Sequence, residues 1–122
     1  MNTDNDHDSW HKLVVWQKAH AAVLEVYACT KAFPADERFR LTDQLCRAAS
    51  SIPTNIAEGK GRQSPAEFRQ FLIIARGSTE ETRYLLLLAK DLGILPPATH
   101  AHLEAGYTEI SKMLNGLLRH LR

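Results

Sequence analysis

Ser64–Gly93, SPAEFRQFLIIARGSTEETRYLLLLAKDLG, decides the fold. Ser64 is a helix N-cap, Pro65 occupies the first helical position, where its missing N–H costs nothing, and Glu67 is placed to return to the cap amide. Behind this start signal Phe68, Leu72, Ala75, Thr79, Thr82, Leu86 and Ala89 step by three and four residues, which puts them on one helical face. Gly93 closes the segment as a C-terminal glycine. A capped helix of this length and amphipathic pattern needs partners to cover its seam.

Partners of the same kind flank it. Upstream, Trp16, Ala19, Val23, Val26, Thr30 and Phe33 form one seam, ended by Phe33-Pro34 because the residue before proline is pushed out of the helical region. A second segment runs from about Asp36 through Leu41, Leu45, Ala48, Ile52 and Ile56 to Gly59-Lys60-Gly61. Downstream, after Pro96-Pro97, Leu103, Tyr107, Ile110, Leu114, Leu117 and Leu121 repeat the spacing. Four such helices with short connections predict an all-α, antiparallel up-and-down bundle over residues 12–122. Residues 1–11 read as an acidic, frayed N-terminal tail.

Composition agrees. The 122 residues are 44% hydrophobic but only 7% aromatic, and strand-like alternation is scarce. No apolar run approaches the roughly 18 residues that span a bilayer, so no membrane partner is expected. The formal charge of +1 hides an asymmetry: Asp4, Asp6 and Asp8 make the first ten residues acidic, leaving residues 11–122 with fifteen cations against eleven carboxylates, net +4. That is mildly basic for a nucleic-acid binder. Cys29 and Cys46 form no metal or redox motif and fall out of register for a disulfide, so a cytoplasmic location is expected.

Two features depart from an ideal monomeric bundle. Pro53 lies inside the second helix, where it removes the hydrogen bond to the Ala49 carbonyl and is expected to kink the axis. Ser50, Ser51, Thr54 and Asn55 surround it and are placed to satisfy the freed carbonyl. The small residues there allow close approach of a neighbouring backbone, with Gly77-Ser78 as the expected place. The other departure is in the third helix: Ile73, Ile74, Leu87 and Leu88 add apolar surface beyond the seam, and a surplus of this kind marks these four as a candidate subunit interface.

The polar candidates are a stripe and a ladder. Arg62, Arg69, Arg76, Arg83 and Lys90 recur every seven residues, so they stay on one slowly drifting stripe. Such a row can contact phosphates or an acidic partner; its commoner meaning is a solvated face or a salt-bridge ladder, with Glu80 placed to neutralise Arg76 and Arg83. Arg47, Ser51, Asn55 and Glu58 form a polar ladder around Pro53, whose simplest role is to satisfy the kinked backbone. No nucleophile–base pair, cofactor motif or set of metal ligands can be assembled: His100 and His102 point to different sides of a helix, and His7 and His11 fall in the tail. A non-enzymatic protein without cofactor, metal or small-molecule substrate is expected.

Several stretches resemble a known family. Leu13-Val14-Val15-Trp16-Gln17-Lys18-Ala19, Gln44-Leu45-Cys46-Arg47-Ala48-Ala49, Ser51-Ile52-Pro53-Thr54-Asn55-Ile56-Ala57-Glu58-Gly59, Ala75-Arg76-Gly77-Ser78 and Met113-Leu114-Asn115-Gly116-Leu117 are similar to the bundle proteins encoded in bacterial 23S ribosomal RNA intervening sequences. The likeness covers residues 13–121. It implies a cytoplasmic four-helix bundle that assembles as a ring, a homopentamer. It extends to the accessory variability determinant of diversity-generating retroelements, a strongly basic pentamer that binds a reverse transcriptase and structured RNA. From the resemblance, the partners to expect are other copies of the chain, RNA or a reverse transcriptase. The alternatives are a protein–protein adaptor that binds no nucleic acid, or a mobile-element passenger without further activity.

Overall fold

A computed structural model describes residues 10–121. Among them lie four α-helices: α1 (Val14–Thr30), α2 (Asp43–Gly61), α3 (Pro65–Asp91) and α4 (Pro97–His120). Cross-helix contacts fix their directions. Arg83 meets Glu104 and Arg76 meets Asn115, so residue numbers rise along α3 as they fall along α4. Lys18 with Glu109 and Glu25 with His102 show the same for α1 and α4, and Ser51 with Ser78 joins α2 to α3. The main packing runs α1–α2, α2–α3, α3–α4 and α4–α1, which leaves α1 and α3 on a diagonal.

The ends of α3 follow their local chemistry. The Ser64 hydroxyl accepts from the Glu67 amide at 3.3 Å. The return half of the expected box is not used: the Glu67 carboxylate instead meets Arg62 at 3.4 Å, because a charged partner competes better than a neutral amide. At the far end Gly93 has φ +77°, and the amides of Gly93 and Ile94 donate to the carbonyls of Lys90 and Ala89. This is the paired closure that a left-handed glycine permits.

Three expectations on packing need correction. The second helix does not run unbroken from Asp36: a 3₁₀ turn (Ala35–Glu37) and a π turn (Arg38–Thr42) precede α2. The wider π turn buries Leu41 while turning Phe39 outward, 81% exposed. On α1 the buried stripe is Val15, Ala19, Ala22, Val26 and Thr30, so Trp16 and Val23 sit at its edge, facing α2. On α4, Leu118 is buried and Leu117 and Leu121 are only partly covered. The third-helix seam is buried as expected, with Leu85 added.

α2 and α3 meet at Ser78 as expected, its hydroxyl 2.9 Å from that of Ser51, but Gly77 faces away and the tightest backbone approach is at Gly59. A Cβ on Gly59 would lie 2.5 Å from Phe71 Cβ and 3.2 Å from Phe68 Cδ1, whereas one on Gly77 would meet nothing within 4 Å. Cys29 and Cys46 are both free thiols. Of the acidic tail, Met1–Ser9, with Asp4, Asp6, Asp8 and His7, lies outside the described residues; Trp10 and His11 belong to a short turn closed by the Leu13 amide on the Trp10 carbonyl at 3.1 Å.

Candidate functional site

The cation row is brought together as a stripe, but much of it is engaged within the chain. Arg83 donates to both Glu104 oxygens, at 2.6 Å through Nη2, and to Glu80 at 3.1 Å. These contacts hold the Glu104 carboxyl below its ordinary range, the Arg83 hydrogen bond being the chief cause, and raise the Arg83 guanidinium above its own. Arg76 passes Glu80 by and donates to Asn115 Oδ1 at 3.1 Å. Arg62 bridges Glu58 and Glu67 and lies over the Phe71 ring, with 5.1 Å to its centroid. Lys90 lies 4.0 Å from Asp91. Among the described residues Arg69 makes no hydrogen bond or ion pair, although its side chain is half-buried. The stripe therefore follows the α3–α4 groove, and its free positive potential is concentrated at Arg69 and Arg76.

The polar ladder divides in two. Ser51 and Ser78 hydroxyls lie 2.9 Å apart across α2 and α3, and the Asn55 amide donates to the Ser51 carbonyl and hydroxyl. Ser50 and Thr54 donate to the carbonyls of Arg47 and Ser50. The carbonyls served are thus those of Arg47, Ser50 and Ser51, in place of the expected Ala49. Arg47 and Glu58 sit on the exposed side and pair with Asp43 and Arg62. Short hydroxyl and amide side chains reach the nearest turn, so they brace the proline-bearing helix and its contact with α3.

The four residues marked as an interface also divide. Ile73 and Leu88 are partly buried and pack against the chain's own core, while Ile74 (50%) and Leu87 (39%) remain exposed, with Tyr84 between them in sequence. The surplus apolar surface of α3 is real but smaller than four residues implied, because the neighbouring helices cover more than one stripe of so long a helix.

A further group escaped sequence reasoning. Trp10 stacks on His11 (3.6 Å between centroids), Trp16 stacks on His20 (5.1 Å), and the two indoles meet edge to face at 4.9 Å. Together with Val23, Ser50, Pro53, Thr54, Ala57 and Glu58, residues Trp10, Trp16 and His20 line a cleft of about 580 Å³ between α1 and α2. The i,i+4 spacing of Trp16 and His20 was the available signal; the part played by Trp10 depends on the turn that folds it back. Burial, then the nearby Cys46, raises the Cys29 thiol, which makes it a poor nucleophile. Among the described residues no group of three or more His, Cys, Asp or Glu is placed to hold a metal ion, and no helix is long and apolar enough to cross a membrane.

What these features define is an all-helical bundle whose polar clusters are mostly spent on joining its helices and whose remaining resources are faces. The chain belongs to the 23S rRNA-intervening sequence protein family, whose sequence profile matches residues 11–116. It is similar to a crystal structure from Bacteroides thetaiotaomicron, described as a protein with unknown function from the S23 ribosomal protein family, with 27% identity and a TM-score of 0.81 over 87% of this chain and 96% of that one. No curated protein matches the chain in sequence.

Proposed function

We propose that this chain is a non-enzymatic, self-assembling helical module, a ring-like homo-oligomer that presents repeated charged rims to a macromolecular partner. The observation that carries it is the outer face of α3, where Ile74, Tyr84 and Leu87, with Leu92 at the C-cap, stay exposed on a helix whose inner seam is already filled. Exposed apolar side chains grouped on one element mark an association surface, whereas single ones scattered over a surface do not. The resemblance to ring-forming relatives supports five subunits. Symmetry would then repeat Arg69 and Arg76 in every subunit and raise the local positive potential well above that of one chain. Structured RNA, alone or with a reverse transcriptase, is the partner this favours.

Light scattering at micromolar concentration tests the assembly. The wild type should give a particle several times the chain mass of 13.7 kDa, and Ile74→Asp with Leu87→Asp should reduce it to one chain. A monodisperse wild-type monomer overturns the proposal. Filter binding to structured RNA over a salt series tests the partner: the logarithm of affinity should fall linearly with log salt, and Arg69→Glu with Arg76→Glu should flatten that slope.

A second reading, a protein–protein adaptor without nucleic-acid binding, draws on the pairing of Arg62, Arg83 and Lys90 with the chain's own carboxylates. Absence of RNA binding even at low salt selects it.

A further inference from the structure

One stripe of exposed residues along α1 and its C-cap has the same spacing as one along α3. Gln17, His20, Leu24, Tyr27 and Lys31 step by three, four, three and four, and all five are exposed. Leu24 and Tyr27 at its centre are 58% and 50% exposed. On α3 the corresponding exposed residues are Ile74, Gly77, Glu81, Tyr84 and Asp91, with the partly buried Leu88 completing the three-and-four spacing between Tyr84 and Asp91. This is the seam spacing of two helices packed side by side, and each stripe lies opposite its helix's buried face. Because α1 and α3 are diagonal, the stripes look outward from opposite sides of the bundle.

Their charges are complementary. The α1 stripe ends at the C-cap on one cation, Lys31, and carries no carboxylate; the helix's one acid, Glu25, is turned to α4, where His102 Nε2 is 3.2 Å away. The α3 stripe carries Glu81 and Asp91 and no cation. Gly77, which presents no side chain, leaves room for a neighbour to approach. Pairing α3 with a second α3 is disfavoured by the same pattern: Glu81 lies near the middle of the stripe from Ile74 to Asp91, so a two-fold antiparallel contact centred there would bring two Glu81 carboxylates together.

We infer that the outer stripe of α1 in one copy receives the outer stripe of α3 in the next, a head-to-tail contact. Such a contact uses two different faces, covers both on every subunit, and closes only as a ring. It rests on the self-assembly reading and adds to it which face meets which.

Two surface variants separate the possibilities: Leu24→Asp with Tyr27→Asp, and Ile74→Asp with Tyr84→Asp, with circular dichroism confirming helicity. Should either lose helix, the same positions changed to Ser replace it. Each variant alone should be monomeric by light scattering, since each lacks one half of the contact. Mixed in equal amounts they should form a one-to-one dimer of about twice the chain mass and nothing larger, because one intact α1 stripe then meets one intact α3 stripe. An α1 variant that assembles like the wild type, or a mixture that stays monomeric, overturns the head-to-tail pairing while leaving self-assembly standing. A wild type that is itself monomeric overturns both.

Discussion

Arg83 on α3 holds Glu104 on α4 through both carboxylate oxygens, with Nη2 2.6 Å from Oε2 and Nε 3.3 Å from Oε1. The pair is only about a third exposed, and Thr108 adds a hydroxyl donor to Glu104 at 3.3 Å. It is the strongest polar link between the two helices and the reason that Arg83, which faces a carboxylate across helices, is not free for a partner.

Replacing Glu104 with Gln should therefore cost about 1 kcal/mol, the worth of a charge-assisted hydrogen bond discounted for partial exposure. The sign with pH follows from the direction of the shift. The Glu104 carboxyl is lowered on folding, so its stabilisation is present above the unfolded carboxylate range and is lost as pH falls through the lower folded value. Urea denaturation of both proteins at neutral and acidic pH checks this: the gap should be present near pH 7 and shrink in acid.

Gly59→Ala should destabilise the fold by about 1–3 kcal/mol, because the new methyl would have to displace Phe71 at the α2–α3 contact. Gly106→Ala, inside α4 with nothing within 4 Å of the added Cβ, should stabilise by about 0.5–1 kcal/mol through helix propensity alone. Opposite signs in thermal melts of the two variants are the expected result.

Gln63, in the turn between α2 and α3, has φ +60°, a left-handed conformation that a side chain disfavours. Gln63→Gly relieves that cost and should raise stability by about 0.5–1 kcal/mol, read as a higher denaturation midpoint at unchanged slope.

The Tyr107 hydroxyl is buried with no hydrogen-bond partner among the described residues, and burial raises its pKa, so it stays protonated throughout the ordinary range. Tyr107→Phe removes a polar group that burial penalises and keeps the ring. The variant should be as stable as the wild type or more stable by about 1 kcal/mol. A loss of 2 kcal/mol in chemical denaturation would show that the hydroxyl is satisfied in solution.

Helix positions were legible because their signals are local. Ser64-Pro65 starts α3 and Gly93 ends it whatever surrounds them, since both act through the dihedrals and amides of adjacent residues. The seam of α3, from Phe68 to Ala89, was legible for the same reason: a helix of fixed pitch puts those side chains on one face. The break before α2 was not, because the turns over Ala35–Thr42 contain no glycine and no internal proline to announce them.

The sequence by itself thus determined four amphipathic helices, their order, and the presence of a cation row and of surplus apolar surface. Tertiary structure decided which of those groups remain available. Arg83 is committed to Glu104 twenty-one residues away, Ile73 and Leu88 are covered, Ile74 and Leu87 are not, and Trp10 is folded onto Trp16. Such outcomes depend on the axial register between neighbouring helices. Register is set by how whole side chains interlock, as at Gly59 and Phe71, and no local pattern encodes it.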